Sequence, residues 1–389
     1  MCVKRLLICS LCLLLVFLCG CEKMRTAEEM PGKKAKEQSE NIGLWIAVYE
    51  GAPDEKNEKA YREKISQMTE KISRFGFTDI FFQVRANCDA VYPSALFPAC
   101  YMYADEGELC FDALEIMCEE AHERGLKIHA WINPYRICSD IKRQPLNLPE
   151  GINENEIYKN GDARYLNPCS EKTTSVILGG IREIIENYDV DGIHIDDYFY
   201  PTQDKKIDKK EYEAFKKSGG VCDISQYRRD NVSALISSAY SLIKSQNEKL
   251  VFSISPGADI DKDKNLLYAD VERWCTESGY CDMIIPQIYF GFENENMPFE
   301  SVFDRWKILT EKSGTMLLTG LAIYKSGKED KYAGESGKNE WKKNSDIISR
   351  QIEYIRKNGG DGFCLFSYSY VFGNRNFTNE EIKNLKNVL

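Results

Sequence analysis

Two adjacent aspartates, Asp196 and Asp197, end the segment VDGIHIDD and are followed directly by aromatic residues and a proline. Carboxylates at the end of a buried strand are costly to keep unless they bind a ligand or take part in a reaction. Strand alternation sends Ile193 and Ile195 to one face and directs His194 and Asp196 to the other. Hydrolysis of a glycosidic bond uses two carboxyls, one protonated and one ionised. We expect Asp196 to be the nucleophile or base of such a pair.

The acid of the pair has two candidates, Asp197 on the same strand and Asp89 after the second predicted strand. A carboxyl beside another carboxylate has a raised pKa, which suits a general acid. The structural alternative is that Asp197 only caps its loop and Asp89 only holds Arg85. Both candidates stay open at the level of the sequence.

Alternating short apolar runs and amphipathic stretches predict the scaffold for these groups. Strands are expected at 43–49, 79–86, 127–133, 191–196, 250–256, 282–290, 316–324 and 361–368. Eight strands separated by helices predict a single (β/α)8 TIM barrel over residues 42–389, with a long loop at 134–167 after strand three. A doubly wound open sheet is the alternative, but no G-x-G-x-x-G follows an early strand.

Polar and aromatic residues follow several predicted strands at the end where such barrels hold their active sites. Aromatic faces can stack on sugar rings and amides or guanidinium groups can bind hydroxyls, although the aromatics could also be rim packing. The candidate substrate-binding residues are Arg85, Asn133, Tyr135, Arg136, Tyr198, Gln287, Tyr289 and Lys325. No cofactor and no metal site are expected, since the chain has only three histidines. The net charge of −10 argues against nucleic acid as a partner.

The N-terminus predicts export. Lys4 and Arg5 precede a short apolar run that ends in Leu18-Cys19-Gly20-Cys21. This pattern is typical of a secretory signal and resembles a bacterial lipobox, with lipidation at Cys21; an uncleaved anchor is the alternative. Residues 1–21 are therefore expected to be the signal peptide, and 22–41 to form a flexible linker. Either alternative predicts an extracytoplasmic domain tethered to a membrane.

The segments FFQVRANCDAVYPS, HAWINPYR, DVDGIHIDDYFYP, DMIIPQIYF and GLAIYK lie in this order in the chain. Together they resemble the glycosyl hydrolase-like 10 lipoprotein family of bacteria, from about Gly43 to Lys325. The resemblance implies a barrel on a surface lipoprotein and a glycosidase of peptidoglycan strands stripped of stem peptides. The family's motif positions fall on Arg85, Asp89, Asn133, Arg136, Asp196, Asp197, Gln287 and Tyr289.

The strand-four segment is also similar to the signature of chitinase-type barrels, but Tyr198 stands where that signature has its acidic glutamate. The substrate-assisted mechanism of those enzymes is therefore not expected from the sequence. The sequence predicts a surface-anchored glycoside hydrolase of cell-wall glycan that acts through Asp196 with Asp197 or Asp89. The alternatives are a glycan-binding lipoprotein without turnover and a glycosidase of another polysaccharide.

Overall fold

The computed structural model describes residues 40–146, 148–373 and 379–389. The predicted signal peptide, the lipidation site Cys21 and nearly all of the predicted linker lie outside these residues. In the described part of the chain, no helix is long and apolar enough to cross a membrane.

Eight parallel strands form a closed barrel in which each strand pairs with its neighbours along the chain and β8 pairs with β1. The strands are β1 Asn41–Ile46, β2 Asp79–Arg85, β3 Lys127–Ile132, β4 Gly192–Ile195, β5 Val251–Ile254, β6 Met283–Ile284, β7 Met316–Leu321 and β8 Gly362–Leu365. The predicted (β/α)8 barrel is confirmed.

A principal helix follows each strand: α1 Glu58–Phe75, α2 Ala113–His122, α3 Glu171–Asn187, α4 Ile224–Gln246, α5 Val271–Thr276, α6 Phe299–Thr310, α7 Ile347–Lys357 and α8 Asn379–Val388. The two ends of α1 show how the local sequence starts and ends a helix. The Asn57 side chain accepts a hydrogen bond from the Ala60 N–H at its start, and Gly76 ends it with φ +107°.

Alternation along the strands divides the core into two layers. Ile193 and Ile195 belong to the large layer between strands and helices. The barrel interior holds a smaller cluster that includes Trp45, Phe81 and Trp131. His194 contacts these interior rings, which confirms the inward direction predicted for it.

Additional elements follow the carboxyl ends of the strands and form the rim of the barrel. The long loop after β3 holds the turn Glu154–Glu156 and a three-stranded antiparallel sheet of Arg136–Cys138, Ile157–Asn160 and Ala163–Leu166. A two-stranded hairpin, Ala104–Asp105 and Glu108–Leu109, follows β2. Short helices occupy Val48–Gly51, Lys209–Lys217, Ile260–Leu266, Ile323–Lys325, Gly334–Gly337, Glu340–Lys343 and Tyr368–Phe372.

A buried ion pair fixes the loop that follows β4. Arg228 on α4 donates from Nε and Nη2 to the two Asp208 carboxylate oxygens at 2.6 and 2.8 Å. The Tyr200 hydroxyl donates to the same carboxylate at 2.5 Å. The Arg228 guanidinium also lies 4.8 Å and 5.0 Å from the ring centres of Tyr200 and Tyr268. This clamp holds the chain only a few residues beyond Asp197.

Candidate active site

A cavity of about 500 Å³ opens at the carboxyl ends of the barrel strands. Its lining combines aromatic, amide and carboxyl side chains, contributed by most of the strands and their following loops. The lining residues are Trp45, Ala47, Val48, Tyr49, Gln83, Ala86, Asn87, Tyr101, Met102, Trp131, Arg136, Ser139, Gln144, Asp196, Asp197, Tyr198, Ser255, Gln287, Tyr289, Tyr324 and Phe366.

Asp196 and Asp197 lie in this cavity directly after β4. Asp196 is only 3% exposed, whereas Asp197 is partly exposed. The Tyr198 N–H donates to Asp196 Oδ1 at 3.4 Å. Among the described residues, Asp196 Oδ2 has no hydrogen-bond partner. A buried carboxyl oxygen left unpaired beside a cavity is available to a substrate.

The two carboxyls titrate as a pair. Burial, followed by the charge of Asp197, raises the pKa of Asp196 to about 8. Burial also raises the pKa of Asp197, against the hydrogen bonding of Gln287, which lowers it. Two such neighbours cannot both be ionised cheaply in a low-dielectric site, so one proton is shared between them at neutral pH.

Of the described residues that line the cavity, Arg136 is the one with a cationic side chain. Its Nε and Nη2 both donate to the Ala86 carbonyl at 3.0 and 2.9 Å, which fixes the guanidinium. The guanidinium lies 4.3 Å from the ring centre of Tyr198, which is 47% exposed. The charge of Arg136 lowers the pKa of both Asp196 and Asp197 and so stabilises the remaining negative charge of the pair.

Gln287 and Tyr289 line the cavity after β6. Gln287 Nε2 donates to the Ser255 carbonyl at 3.3 Å. Lys325, which is not among the residues lining the cavity, donates to the Tyr289 carbonyl at 2.7 Å and to Asp330 at 2.6 Å. The structure therefore places Lys325 behind the wall, where it supports Tyr289.

Asn133 and Tyr135 also lie outside the lining. The side-chain oxygen Oδ1 of Asn133 accepts from Gln83 Nε2 at 2.8 Å, and Gln83 Oε1 accepts from the Val48 N–H at 3.1 Å. Asn133 thus orients a cavity residue from behind. Tyr135 is 1% exposed and packs in the large core layer.

Arg85 and Asp89, which follow one another closely at the end of β2, are not among the residues that line the cavity. The register of β2 shifts between Gln83 and Arg85, and the Arg85 guanidinium lies 4.2 Å from the ring centre of Phe97. Asp89 faces a much smaller void of about 10 Å³. Burial raises the pKa of Asp89. Asp197, rather than Asp89, shares the cavity with Asp196.

Sequence reasoning missed several cavity residues that lie within or beside the strands. Trp45 and Gln83 are inward positions of β1 and β2, so strand alternation could have identified them. Tyr101 lies in the loop after β2, and Tyr324 and Phe366 follow β7 and β8. Within the described residues, no group of three or more His, Cys, Asp or Glu side chains is gathered in a way that could hold a metal ion.

Glycosidase domains are among the solved structures that share this barrel fold. The glycoside hydrolase domain of PgaB from Bordetella bronchiseptica has a TM-score of 0.61 at 12% identity, over 90% of this chain and 98% of that one. The catalytic domain of a β-amylase from Paenibacillus polymyxa has a TM-score of 0.59 at 11% identity, over 90% and 97%. At these identities the likeness concerns the barrel fold.

Two bacterial relatives are similar in sequence. Glycosyl hydrolase YngK of Bacillus subtilis is 30% identical over 290 residues, which are 69% of this chain and 56% of the relative. Glycosyl hydrolase DigH of Escherichia coli K12 is 31% identical over 289 residues, which are 67% of this chain and 65% of the relative. The match thus spans less than two thirds of either relative. The sequence model of glycosyl hydrolase-like 10 matches residues 42–335, and the chain belongs to that family.

Proposed function

We propose that the protein is a glycoside hydrolase of cell-wall glycan, acting on peptidoglycan strands that have lost their stem peptides. The observation that carries this proposal is the placement of the adjacent carboxyls of Asp196 and Asp197 inside one cavity lined by aromatic and amide side chains. The family to which the chain belongs and the barrel it shares with glycosidase domains support the same class of reaction.

The pair can supply the proton and the negative charge that cleavage of a glycosidic bond uses. Burial raises the pKa of Asp196 to about 8, so Asp196 holds the proton at neutral pH, and we assign to it the delivery of this proton to the leaving oxygen. Asp197, which is partly exposed, is then the ionised member, the reverse of the roles expected from the sequence. Arg136 stabilises the negative charge that remains on the pair.

The cavity walls suit an uncharged sugar ring with polar substituents. Trp131, Tyr198 and Tyr289 offer aromatic faces, and Gln83 and Gln287 offer amides that can pair with hydroxyl or acetamido groups.

The lipobox-like sequence at Cys21 supports placement in the cell envelope, next to the cell wall. Replacing Cys21 with Ser, followed by labelling of cells with radioactive fatty acid, tests this anchor; labelling that persists in the variant would contradict it.

The substrate is tested by incubating the purified chain from residue 22 with peptidoglycan, with and without prior amidase treatment. Soluble oligosaccharides are then read by mass spectrometry. Products that appear only after amidase treatment support a hydrolase of stripped strands. If products form only from a different polysaccharide, that polysaccharide is the substrate and the peptidoglycan assignment is wrong. Pelleting of the protein with the glycan, without any product, would favour a binding lipoprotein.

A further inference from the structure

Both acidic side chains of the cavity come from one wall. Among the described residues that line it, Asp196 and Asp197 are the only ones that bear a carboxyl. They are consecutive, so their Cα atoms are about 3.8 Å apart and both side chains enter from the end of β4. The described part of the chain supplies no third carboxyl to the lining.

Within the part of the chain that the structure describes, the opposite wall offers no free carboxylate. The strand order places β8 four strands from β4 in either direction around the barrel. The cavity residues near β8 and β1 are aromatic or apolar, such as Phe366 and Trp45. Glu50 is a carboxyl on this side, but the Ala47 N–H donates to it at 2.9 Å, and the Ser367 hydroxyl and Ser369 N–H donate at 2.6 and 2.8 Å. Its oxygens are occupied in holding the loops after β1 and β8 together.

This placement restricts the mechanism of the proposed hydrolase. Enzymes that use two of their own carboxyls place them on both sides of the scissile bond, about 5–5.5 Å apart in retaining enzymes and about 6.5–9.5 Å apart in inverting ones. Here both carboxyls approach from the β4 side. The atom that attacks the anomeric carbon from the other side must then come from the substrate or from water.

We propose, resting on the function proposed above, that the sugar cleaved carries a 2-acetamido group and that the carbonyl oxygen of this group is the nucleophile. One aspartate of the pair protonates the leaving oxygen, and the other holds the acetamido N–H. The aromatic surface of Trp45 and Trp131 offers an apolar contact for the acetamido methyl. The similarity to chitinase-type barrels did not predict this mechanism, because Tyr198 stands where their signature has its acidic residue. Asp197, which precedes Tyr198 in the chain, supplies a carboxyl instead.

The atoms balance in two steps. In the first, the bond from the anomeric carbon to the leaving oxygen breaks, a bond from the acetamido oxygen to that carbon forms, and the protonated aspartate gives its proton to the leaving group. The ionised aspartate takes the N–H proton, which leaves a neutral oxazoline. In the second step, water attacks the anomeric carbon and gives its proton to the first aspartate. The ring then opens, and the N–H proton returns to nitrogen.

The test is the binding of a thiazoline analogue of N-acetylglucosamine, measured by calorimetry beside the parent sugar. We expect the wild type to bind the thiazoline at least ~100-fold more tightly, as a transition-state analogue does. Asp196→Asn and Asp197→Asn should each lose this preference. Asp189→Asn is the matched control, because the Asp189 side chain is 94% exposed and lies 3.5 Å from His122, away from the cavity; it should bind as the wild type does.

Hydrolysis of stripped glycan, measured on the same preparation, separates the two proposals. Hydrolysis without any preference for the thiazoline would overturn this inference and leave the proposed function standing. A covalent adduct on either aspartate, trapped with a 2-deoxy-2-fluoro glycosyl donor, would overturn it as well. Absence of hydrolysis of every glycan would overturn the proposed function and the inference with it.

Discussion

The Trp45 indole N–H donates to His194 Nε2 at 3.1 Å across the interior of the barrel, which joins β1 to β4. The other ring nitrogen of His194 pairs with the Ser253 hydroxyl at 2.8 Å. Burial lowers the pKa of His194 well below its usual value, so the ring stays neutral. Both ring nitrogens of His194 are thus engaged in the barrel interior, where His194 supports the strand that ends at Asp196.

Replacing Ser253 with Ala tests this support. The change leaves the buried His194 Nδ1 without its partner, and we expect a loss of about 1–3 kcal/mol in the free energy of unfolding, measured with urea. Ser245→Ala, at an exposed position on α4, is the control and should change little. Equal stability of the two variants would show that the Ser253 bond contributes nothing.

Asp196→Asn should stabilise the protein at neutral pH. The unfolded aspartate loses its proton near pH 3.8, whereas the folded one keeps it up to about pH 8. Between these values Asp196 destabilises the fold, by about 2–4 kcal/mol near pH 7. Asparagine does not ionise, so the variant should have a higher Tm than the wild type at pH 7.5, and the difference should vanish near pH 4.

The pH dependence is the decisive part of that measurement. Asp189→Asn, on the exposed turn before β4, should match the wild type at both pH values. If Asp196→Asn is less stable than the wild type at pH 7.5, the carboxyl is ionised in the folded protein and the shared proton is wrong.

Arg228→Met should loosen the loop that carries the catalytic pair. The change leaves the buried Asp208 carboxylate without its cationic partner, which costs about 3–5 kcal/mol. The double variant with Asp208→Asn should recover part of this loss. Arg182→Met removes an exposed pair with Glu186 at 3.6 Å and should cost less than about 1 kcal/mol. Urea unfolding measures all three, and equal losses for Arg228→Met and Arg182→Met would contradict the clamp.

Tyr198→Ala should weaken glycan binding more than it slows the reaction. The ring lies at the cavity rim under the Arg136 guanidinium, where a sugar can stack on it. We expect KM to rise by about tenfold, corresponding to about 1.4 kcal/mol of lost stacking. Tyr332→Ala is the control, since this tyrosine is 88% exposed and does not line the cavity. An unchanged KM in Tyr198→Ala would remove this residue from the binding surface.

The fold could be predicted from the sequence because each strand carries its own apolar pattern and the strands follow one another around the barrel. The predicted bounds of the strands were less accurate at β6, which was expected over 282–290 but consists only of Met283–Ile284. Pro286 has no N–H to donate and interrupts the ladder, which continues only as isolated bridges at Gln287. The site was predicted where strand ends supply the residues, as at Asp196 and Gln287. It was not predicted where the chain turns after a strand, since the register shift that directs Arg85 towards Phe97 leaves no mark in the sequence.

The most direct test of the central claim compares Asp196→Asn, Asp197→Asn and Asp89→Asn on stripped peptidoglycan strands. Turnover and glycan pelleting are measured on the same preparations. The account predicts that the first two variants bind glycan and release no product, while Asp89→Asn, whose carboxyl lies outside the cavity lining, keeps most of the wild-type turnover. Turnover that survives in Asp196→Asn, or that is lost only in Asp89→Asn, would contradict the assignment of the pair.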